Sequence, residues 1–547
     1  MKWWKNAIGY QINTRTFFDS NGDGIGDIQG IIKKIPYLKH LNIDFLWINP
    51  IFPTSNYDNG YDITNFTEIN SLYGTMADFE KLIETCHNNN IKVTIDLVLN
   101  HSSNQHPWFL EAKKNKDSKY RDYYLWCDNK NNQLPNDWES FFGGSVWEYN
   151  RETNQYYFHT FSKYQPDFNW NSKELREEMK NIIEFWVDKG VDGFRLDAIS
   201  HLKKASWNYA VGDNKWSAFT NVDGIREYLS FLKDIFNKYE LFIFGEASGV
   251  SSTEACEWIG NEGFFDAIIE LEHNYKVGLP GFEKIDLNHL KNTLSKWQFD
   301  LAESDGSNVL YIENHDTSRS ISIMGNDTIS SAKALATAFM LLNGVSIIYQ
   351  GQEIGMSNYK FSRFNEIETI DTINKYNLLI GQGLDETTSL QIATSSSRDH
   401  SRTAMQWSSD SYAGFSKKTP KVLVNQNFNK INVEKNINDD KSLLNFYKML
   451  IDLKKRYFNL SKISYYDLSY GIKDIFCYSI SNKNFEMIVL VNLSDQENYY
   501  SINNIDFSKF KLLYYNIHNK DTNDSYIYLC AYECLIWIKD KNYNIYS

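Results

Sequence analysis

The sequence predicts an α/β fold, a (β/α)8 TIM barrel with an inserted subdomain after strand 3 and a C-terminal antiparallel β domain. Short apolar runs of strand character alternate with stretches of helical periodicity, which favours a parallel sheet. Eight such runs over this length favour a closed barrel. The predicted strands are residues 7–12, 43–48, 92–99, 191–196, 241–245, 267–270, 309–313 and 346–349.

Two segments interrupt this alternation, and the end of the chain changes character. Residues 102–171 are rich in Trp, Tyr, Asn and Asp, show little helical periodicity and are interpreted as the inserted subdomain. Residues 355–420 are irregular and polar, and a helical stretch follows at 441–456. Alternating β sequence at 485–491 and 525–538 then predicts an antiparallel domain. We expect the barrel to comprise 1–101 and 172–460, the inserted subdomain 102–171 and the C-terminal domain 461–547.

Composition excludes some classes of partner. A net charge of −13 over 547 residues disfavours nucleic acid and anionic membranes, because both are bound through clustered Lys and Arg. No basic patch is evident in the sequence. Aromatic residues make up 16% of the chain, which is consistent with flat amphipathic ligands such as sugars, or simply with a large aromatic core.

The cysteine pattern and the apolar segments favour a cytoplasmic location. The six cysteines form no CxxC pair or Cys/His cluster, so we expect neither a zinc site nor a disulfide framework. The amino terminus lacks the apolar run of a secretory signal. The longest apolar stretch, residues 334–349, is too short and too polar to span a bilayer. We therefore expect a cytoplasmic protein with reduced thiols and no membrane partner.

Several polar residues follow the predicted barrel strands directly. Because barrel active sites lie at the carboxyl ends of the strands, these side chains are expected to meet at one mouth. They are His101 after strand 3, Arg195 and Asp197 in strand 4, Glu246 after strand 5, and His315 and Asp316 after strand 7.

Their chemistry suits cleavage of a glycosidic bond. Arg195 and Asp197 face the same way on a strand, and the arginine is expected to lower the pKa of Asp197 and keep it ionised as a nucleophile. Glu246 follows an apolar run that is expected to raise its pKa, as a general acid requires. Two carboxylates with opposed pKa values are what this reaction needs. Each residue also has a structural explanation, so only the combination carries the interpretation.

The motifs around these residues resemble the α-amylase superfamily, glycoside hydrolase family 13, and most closely its oligo-1,6-glucosidase and α-glucosidase branch. They occur in the family's order and span nearly the whole predicted barrel. The motifs are YQINTRTFFDSNGDGIGD (10–27), NGYDI (59–63), DLVLNH (96–101), QPDFNW (165–170), GFRLDAI (193–199), GE (245–246), ENHD (313–316) and RDHSRTAMQW (398–407).

The resemblance implies a role for each matched residue. It implies an exo-acting α-glucosidase that works by double displacement with retention on a small oligosaccharide or disaccharide. We expect the chain to act as a monomer without an organic cofactor. The implied catalytic residues are the nucleophile Asp197, the acid/base Glu246 and the transition-state stabiliser Asp316. The implied sugar ligands are His101, Arg195 and His315, and Asp96 is implied to support the arginine. Tyr61 is implied to offer a face on which the sugar stacks. Asp62 and Arg402 are implied to form a pair that binds the terminal glucose and closes the pocket.

One loop has the composition of a calcium site. The side chains of Asp19, Asn21, Asp23 and Asp27 and the carbonyl of Ile25 offer oxygen ligands within nine residues, and intervening glycines permit a tight loop. The loop resembles the first part of an EF-hand and the calcium loop of this branch, but it lacks the bidentate Glu at the twelfth position. The alternative is an Asp/Asn/Gly turn without metal. We expect a structural Ca2+.

Some positions depart from the branch pattern and leave related activities open. Ala198 stands where α-1,6-acting members usually have Val, and Gln352 replaces a usual Glu. Sucrose isomerases, trehalose synthases and trehalose-6-phosphate hydrolases share the core motifs, and no Lys/Arg cluster that would bind a phosphate is identified in the sequence. A non-catalytic relative acting as a transporter subunit is the distant alternative, although all three carboxylates are present.

Overall fold

The computed structural model describes residues 2–458, 462–502, 505–518 and 525–541. Eight parallel strands close into a barrel in which each strand pairs with its neighbours in the chain. The barrel strands are β1 (Ile8–Ile12), β2 (Phe45–Ile48), β3 (Lys92–Val98), β4 (Gly193–Asp197), β5 (Phe242–Glu246), β6 (Ala267–Ile269), β7 (Ser307–Leu310) and β8 (Val345–Tyr349). The predicted barrel is confirmed.

One principal helix follows each barrel strand and packs on its outer face. The third of them shows why these segments are helical: the Ser172 side chain caps its amino end, and five apolar residues from Leu175 to Trp186 are buried along one face. The helices are α1 (Ile28–His40), α2 (Met76–Asn88), α3 (Lys173–Asp188), α4 (Arg226–Phe236), α5 (Ser252–Trp258), α6 (Leu287–Asp300), α7 (Ile329–Met340) and α8 (Leu443–Phe458).

Strand β7 ends three residues earlier than the sequence predicts. The predicted strand runs to Glu313, but the ladder stops at Leu310. The chain then turns, because the Asn314 side chain accepts a hydrogen bond from the backbone N–H of Asp316 at 2.8 Å. This turn brings His315 and Asp316 to the mouth of the barrel.

Long insertions after β3 and β8 build the rim of this mouth. The insertion after β3 contains the helix Pro107–Lys114 and a three-stranded antiparallel sheet of Trp126–Asp128, Trp147–Asn150 and Gln155–Phe158. The segment after β8 was expected to be irregular, but it contains the helices Ile370–Gly381 and Glu386–Thr394. A short hairpin, Lys276–Val277 with Lys284–Ile285, lies between β6 and α6.

The C-terminal part is antiparallel, as predicted. Its five-stranded sheet consists of Ser464–Asp467, Ile475–Ser481, Phe485–Asn492, Cys534–Asp540 and Lys511–Tyr515, and a second sheet pairs Asn498–Ser501 with Tyr526–Leu529. The predicted strand at 525–538 is therefore two strands in different sheets, because the chain turns at Tyr532, which has a φ of 53°. No disulfide joins the six cysteines, all of which lie in the described residues. Within the same residues, no helix is long and apolar enough to cross a bilayer.

Candidate active site

One buried guanidinium joins three carboxylates at the C-terminal end of the barrel. Arg195 on β4 donates to Asp96 at 2.7 Å and to Asp197 at 2.6 Å through one nitrogen. Its other terminal nitrogen donates to Glu246 at 2.6 Å. The parallel register places Arg195 beside Asp96 of β3, and Glu246 ends the adjacent strand β5. Asp197 and Glu246 therefore share a single cation.

The protonation of Asp197 differs from the sequence expectation. Burial raises the pKa of Asp197 well above its usual value; Arg195 opposes this shift, whereas the Glu246 charge adds to it. The expectation that the arginine lowers this pKa overlooked the cost of removing the carboxylate from water. The Glu246 charge, on the same guanidinium, is one of the causes that raise the pKa of Asp197, so a proton on Glu246 favours the ionised form of Asp197.

Asp316 is held ionised by three basic side chains. Burial alone would raise its pKa, but His315, Arg398 and Arg402 lower it well below the usual range. His315 lies 2.8 Å from the carboxylate, Arg402 donates at 2.9 Å and Arg398 at 3.0 Å. Asp316 thus presents a fixed negative charge to the cavity.

His315 and Tyr61 support one another behind Asp316. Their rings are stacked, with centroids 5.2 Å apart, and the Tyr61 hydroxyl donates to Asp96 at 2.9 Å. Gln11 contacts His315 Nδ1 at 2.7 Å, and Nε2 lies 2.6 Å from the Tyr61 hydroxyl and 2.8 Å from Asp316. Tyr61 and its hydrogen bonds thus connect the Asp96–Arg195 pair with the residues that follow β7.

A cavity of about 420 Å³ lies over the three carboxylates. Of the predicted sugar ligands, Tyr61 and His101 line it, whereas Asp62, Arg195, His315 and Arg402 lie behind its wall. Ala198 also lines the cavity in a left-handed conformation with a φ of 46°, directly after Asp197. Such a conformation costs energy for a residue with a Cβ, and it occurs here beside the reacting group.

The predicted pair of Asp62 and Arg402 is wrong. Asp62 is fully buried and accepts hydrogen bonds from Thr54 and from the backbone of Asp58. Arg402 donates instead to the carbonyl of His315 and to Asp316. Both residues support the site from behind, because each lies on the side of its loop that faces the protein interior.

Asp58 and Arg398 form the ion pair at the rim. Each lies four residues before its predicted counterpart: Asp58 directly precedes the NGYDI motif, and Arg398 is the first residue of RDHSRTAMQW. Arg398 donates to Asp58 at 3.3 Å. The same guanidinium donates to Asp371 at 2.9 Å, and the Phe142 ring lies 4.9 Å from it. The sequence contained a signal for this pair, since RDHSRTAMQW holds two arginines and a second aspartate directly precedes NGYDI.

The QPDFNW segment connects the inserted subdomain to the cavity. Gln165 donates to Asp58 at 3.0 Å and contacts His101 at 3.1 Å. Two residues later, Asp167 lies 2.7 Å from the buried ammonium of Lys204, which also donates to Asn100. The sequence interpretation did not include Gln165 or Lys204 among the site residues, since their partners come from distant parts of the chain.

Comparison with known proteins identifies the family. Residues 11–462 match the model of the alpha-amylase catalytic domain. The chain belongs to the alpha-amylase family. It is 39% identical over 549 residues to the "Probable oligo-1,6-glucosidase 3" of Bacillus subtilis (strain 168), covering 98% of this chain and 99% of that protein. It is 40% identical over 517 residues to the "Oligo-1,6-glucosidase" of Parageobacillus thermoglucosidasius, covering 90% and 91%.

Solved structures agree with this membership of the alpha-amylase family. The crystal structure of the Bacillus licheniformis trehalose-6-phosphate hydrolase superimposes with a TM-score of 0.90 at 34% identity, covering 98% of this chain and 100% of that one. The likeness therefore includes the barrel, both insertions and the C-terminal domain.

In the loop predicted to bind calcium, the aspartate side chains accept hydrogen bonds from backbone N–H groups of the loop and of the helix that follows it. Asp19 accepts from the backbone of Gly22 and Gly24 and from the Ser416 hydroxyl. Asp27 accepts from the backbone of Gly30 and so caps α1. Asp19, Asp23 and Asp27 do not converge within 4.8 Å; among the described residues, the cluster that does is His518, Cys530 and Glu533. Carboxylate, amide and carbonyl oxygens suit Ca2+, but in this structure the carboxylate oxygens hold the loop in its turn conformation through hydrogen bonds.

Proposed function

We propose that this chain is a retaining, exo-acting α-glucosidase of the oligo-1,6-glucosidase or maltase type, which releases α-glucose from the non-reducing ends of short oligosaccharides. The observation that carries the proposal is the placement of Asp197 and Glu246 on the Arg195 guanidinium, where both carboxylates line the same cavity. The names of the two glucosidase relatives support the same substrate class.

The first step transfers glucose to the enzyme. A carboxylate oxygen of Asp197 attacks the anomeric carbon while the glycosidic C–O bond breaks. Glu246 donates a proton to the leaving oxygen. Glu246 suits the acid role because Arg195 and the Ala198 N–H contact only one of its oxygens, which leaves the other for the substrate.

The second step releases the sugar. Glu246, now ionised, takes a proton from water, and the water oxygen forms a bond to the anomeric carbon as the bond to Asp197 breaks. Two displacements return the α configuration. The fixed charge of Asp316 stabilises the oxocarbenium-like transition states, since positive charge develops on the sugar in both steps.

The rim explains the proposed exo action. Asp58, Arg398 and His101 surround the part of the cavity that would hold the hydroxyls of the terminal glucose. The hydrogen bond from Asn374 to the carbonyl of Phe142, at 3.0 Å, joins the two insertions across the rim. A chain extended beyond the terminal glucose would meet this wall.

We also propose that the loop of Asp19, Asn21, Asp23, Ile25 and Asp27 takes up Ca2+ as a structural ion. Five hard oxygen donors in nine residues support this proposal. The φ values of 80° at Gly22 and 91° at Gly24 allow the loop to wrap around an ion. Binding requires the carboxylates to exchange their N–H partners for the ion. The cytoplasmic location and the monomeric state remain predictions.

A substrate panel tests the proposed function. We expect hydrolysis of maltose, isomaltose or both, with α-glucose as the first product detected by NMR, and loss of turnover in Asp197→Asn. First formation of β-glucose would contradict the double displacement. Isomerised disaccharide as the main product from sucrose would instead favour the isomerase activity. Unchanged turnover in Asp197→Asn would remove the assigned nucleophile.

A further inference from the structure

Lys276 brings an unpaired positive charge to the cavity. It lies on the hairpin between β6 and α6 and lines the cavity together with Ser248, Leu271 and Ser396. Ser248 follows β5 two residues after Glu246, and Leu271 follows the adjacent β6, whereas Asp58 and His101 follow β2 and β3. The sugar that leaves from Glu246 would therefore face the hairpin.

The other charged groups that line the cavity already have partners. Asp197 and Glu246 share Arg195, and the remaining acids are bound to the arginines of the rim. In the described part of the chain, the Lys276 ammonium makes no hydrogen bond or ion pair.

The acids nearest to Lys276 are committed elsewhere. Glu283 accepts from the Ser395 hydroxyl at 2.7 Å and from the backbone of Gly281 at 2.9 Å, and it lies 3.9 Å from Lys375. Asp371 is held by Arg398. Burial lowers the pKa of Lys276, the neighbouring Lys375 lowers it further, and Glu283 and Asp371 oppose both. A second ammonium nearby thus strengthens the positive potential at this side of the opening.

We propose that Lys276 binds an anionic group, a phosphate ester, on the leaving sugar of the substrate, so that the enzyme prefers α-glucosides phosphorylated on the sugar that is not attacked. This proposal rests on the proposed function, because it needs glucose bound over Asp197 and the leaving sugar directed outward. A phosphate supplies the negatively charged partner that the Lys276 ammonium lacks. The phosphate oxygens can also accept hydrogen bonds from the Ser248 and Ser396 hydroxyls. No sequence pattern indicated that Lys276 belongs to a binding site, because no other basic motif residue is beside it and its spatial neighbour Lys375 is 99 residues away in the chain.

The test compares each neutral disaccharide with its phosphorylated form. Trehalose and trehalose 6-phosphate are one pair; maltose and maltose phosphorylated on the reducing-end glucose are the other. We expect kcat/KM to be about 10- to 100-fold higher for the phosphorylated member, as a charge-assisted contact would give. In Lys276→Met we expect this preference to disappear, mainly through a higher KM for the phosphorylated sugar.

Lys375→Met is the matched control, because this neighbouring lysine already lies near Glu283 and does not line the cavity. We expect it to keep most of the preference. Equal rates for neutral and phosphorylated sugars in the wild-type protein would overturn the proposal while leaving the α-glucosidase activity intact. Equal losses on both substrates in Lys276→Met would overturn it as well. Absence of turnover on every sugar would instead contradict the proposed function.

Discussion

Arg398 and Asp58, which are 340 residues apart in the sequence, meet at 3.3 Å across the rim of the cavity. Asp58 lies in the segment after β2 and Arg398 in the segment after β8. Barrel closure places β1 between these two strands, so the loops beyond their ends approach each other. The pair completes the wall, and the same guanidinium also fixes Asp316 and Asp371.

Arg398→Lys tests this arrangement. Lysine keeps the charge but lacks the planar fork that serves three carboxylates at once. Because the site is largely buried, we expect kcat/KM on maltose or isomaltose to fall about 10²- to 10³-fold, as removal of a partner from a buried ion pair would give. Arg363→Lys, at an exposed arginine, is the control. Near-normal kinetics in Arg398→Lys would contradict the role given to the rim pair.

Glu246→Gln separates proton donation from the rest of catalysis. An amide cannot protonate the leaving oxygen, so we expect kcat/KM for maltose to fall about 10²- to 10⁴-fold. α-Glucosyl fluoride has a leaving group that needs no proton, and its glucosyl transfer to the enzyme is expected to be much less affected. Steady-state and burst kinetics on the two substrates provide the measurement. Equal losses on both would assign Glu246 a different role.

Asp62→Asn tests the pH dependence of stability. Burial raises the pKa of Asp62 to about 6, above its unfolded value near 4. The folded state therefore binds the extra proton, and its stability decreases as pH rises from about 4 through 6. The shift corresponds to about 3 kcal/mol in the free energy of unfolding. The asparagine variant lacks this dependence but can keep the hydrogen bonds from Thr54 and the Asp58 backbone.

The measurement for Asp62 is the melting temperature of both proteins between pH 4 and 8. We expect the wild-type value minus the variant value to fall as pH rises, and to level off above about pH 7. A difference that stays constant across this range would show that Asp62 does not titrate with a raised pKa in the folded protein.

Removal of calcium tests the proposed ion. We expect EDTA to lower the melting temperature and CaCl2 to restore it, because a ligand bound only to the folded state stabilises it. The loop does not line the cavity, so kcat should change little at temperatures where the protein stays folded. Asp23→Asn is expected to weaken the calcium response. Identical melting curves with EDTA and CaCl2 would favour the metal-free turn.

Local sequence patterns determined the barrel and most of the candidate site. Strand and helix periodicity act over a few residues, so the eight strands could be placed without any long-range information. The carboxyl ends of parallel strands meet at one mouth, and Arg195, Asp197 and Glu246 could therefore be grouped before their distances were known. The spacing of Arg195 and Asp197 by two residues placed both on one face of β4.

Tertiary structure decided what depends on distant partners. Asp58 and Asp62 share one short loop, and only packing shows that Asp62 points inward to Thr54 while Asp58 faces Arg398. The raised pKa of Asp197 required its burial, which a strand pattern does not quantify. The role proposed for Lys276 depended on the fold, because only the structure shows that the nearby acids Glu283 and Asp371 are bonded to other residues. The sequence alone thus determined which residues reach the mouth, and the fold decided which of them touch, because contacts between loops depend on how distant insertions pack.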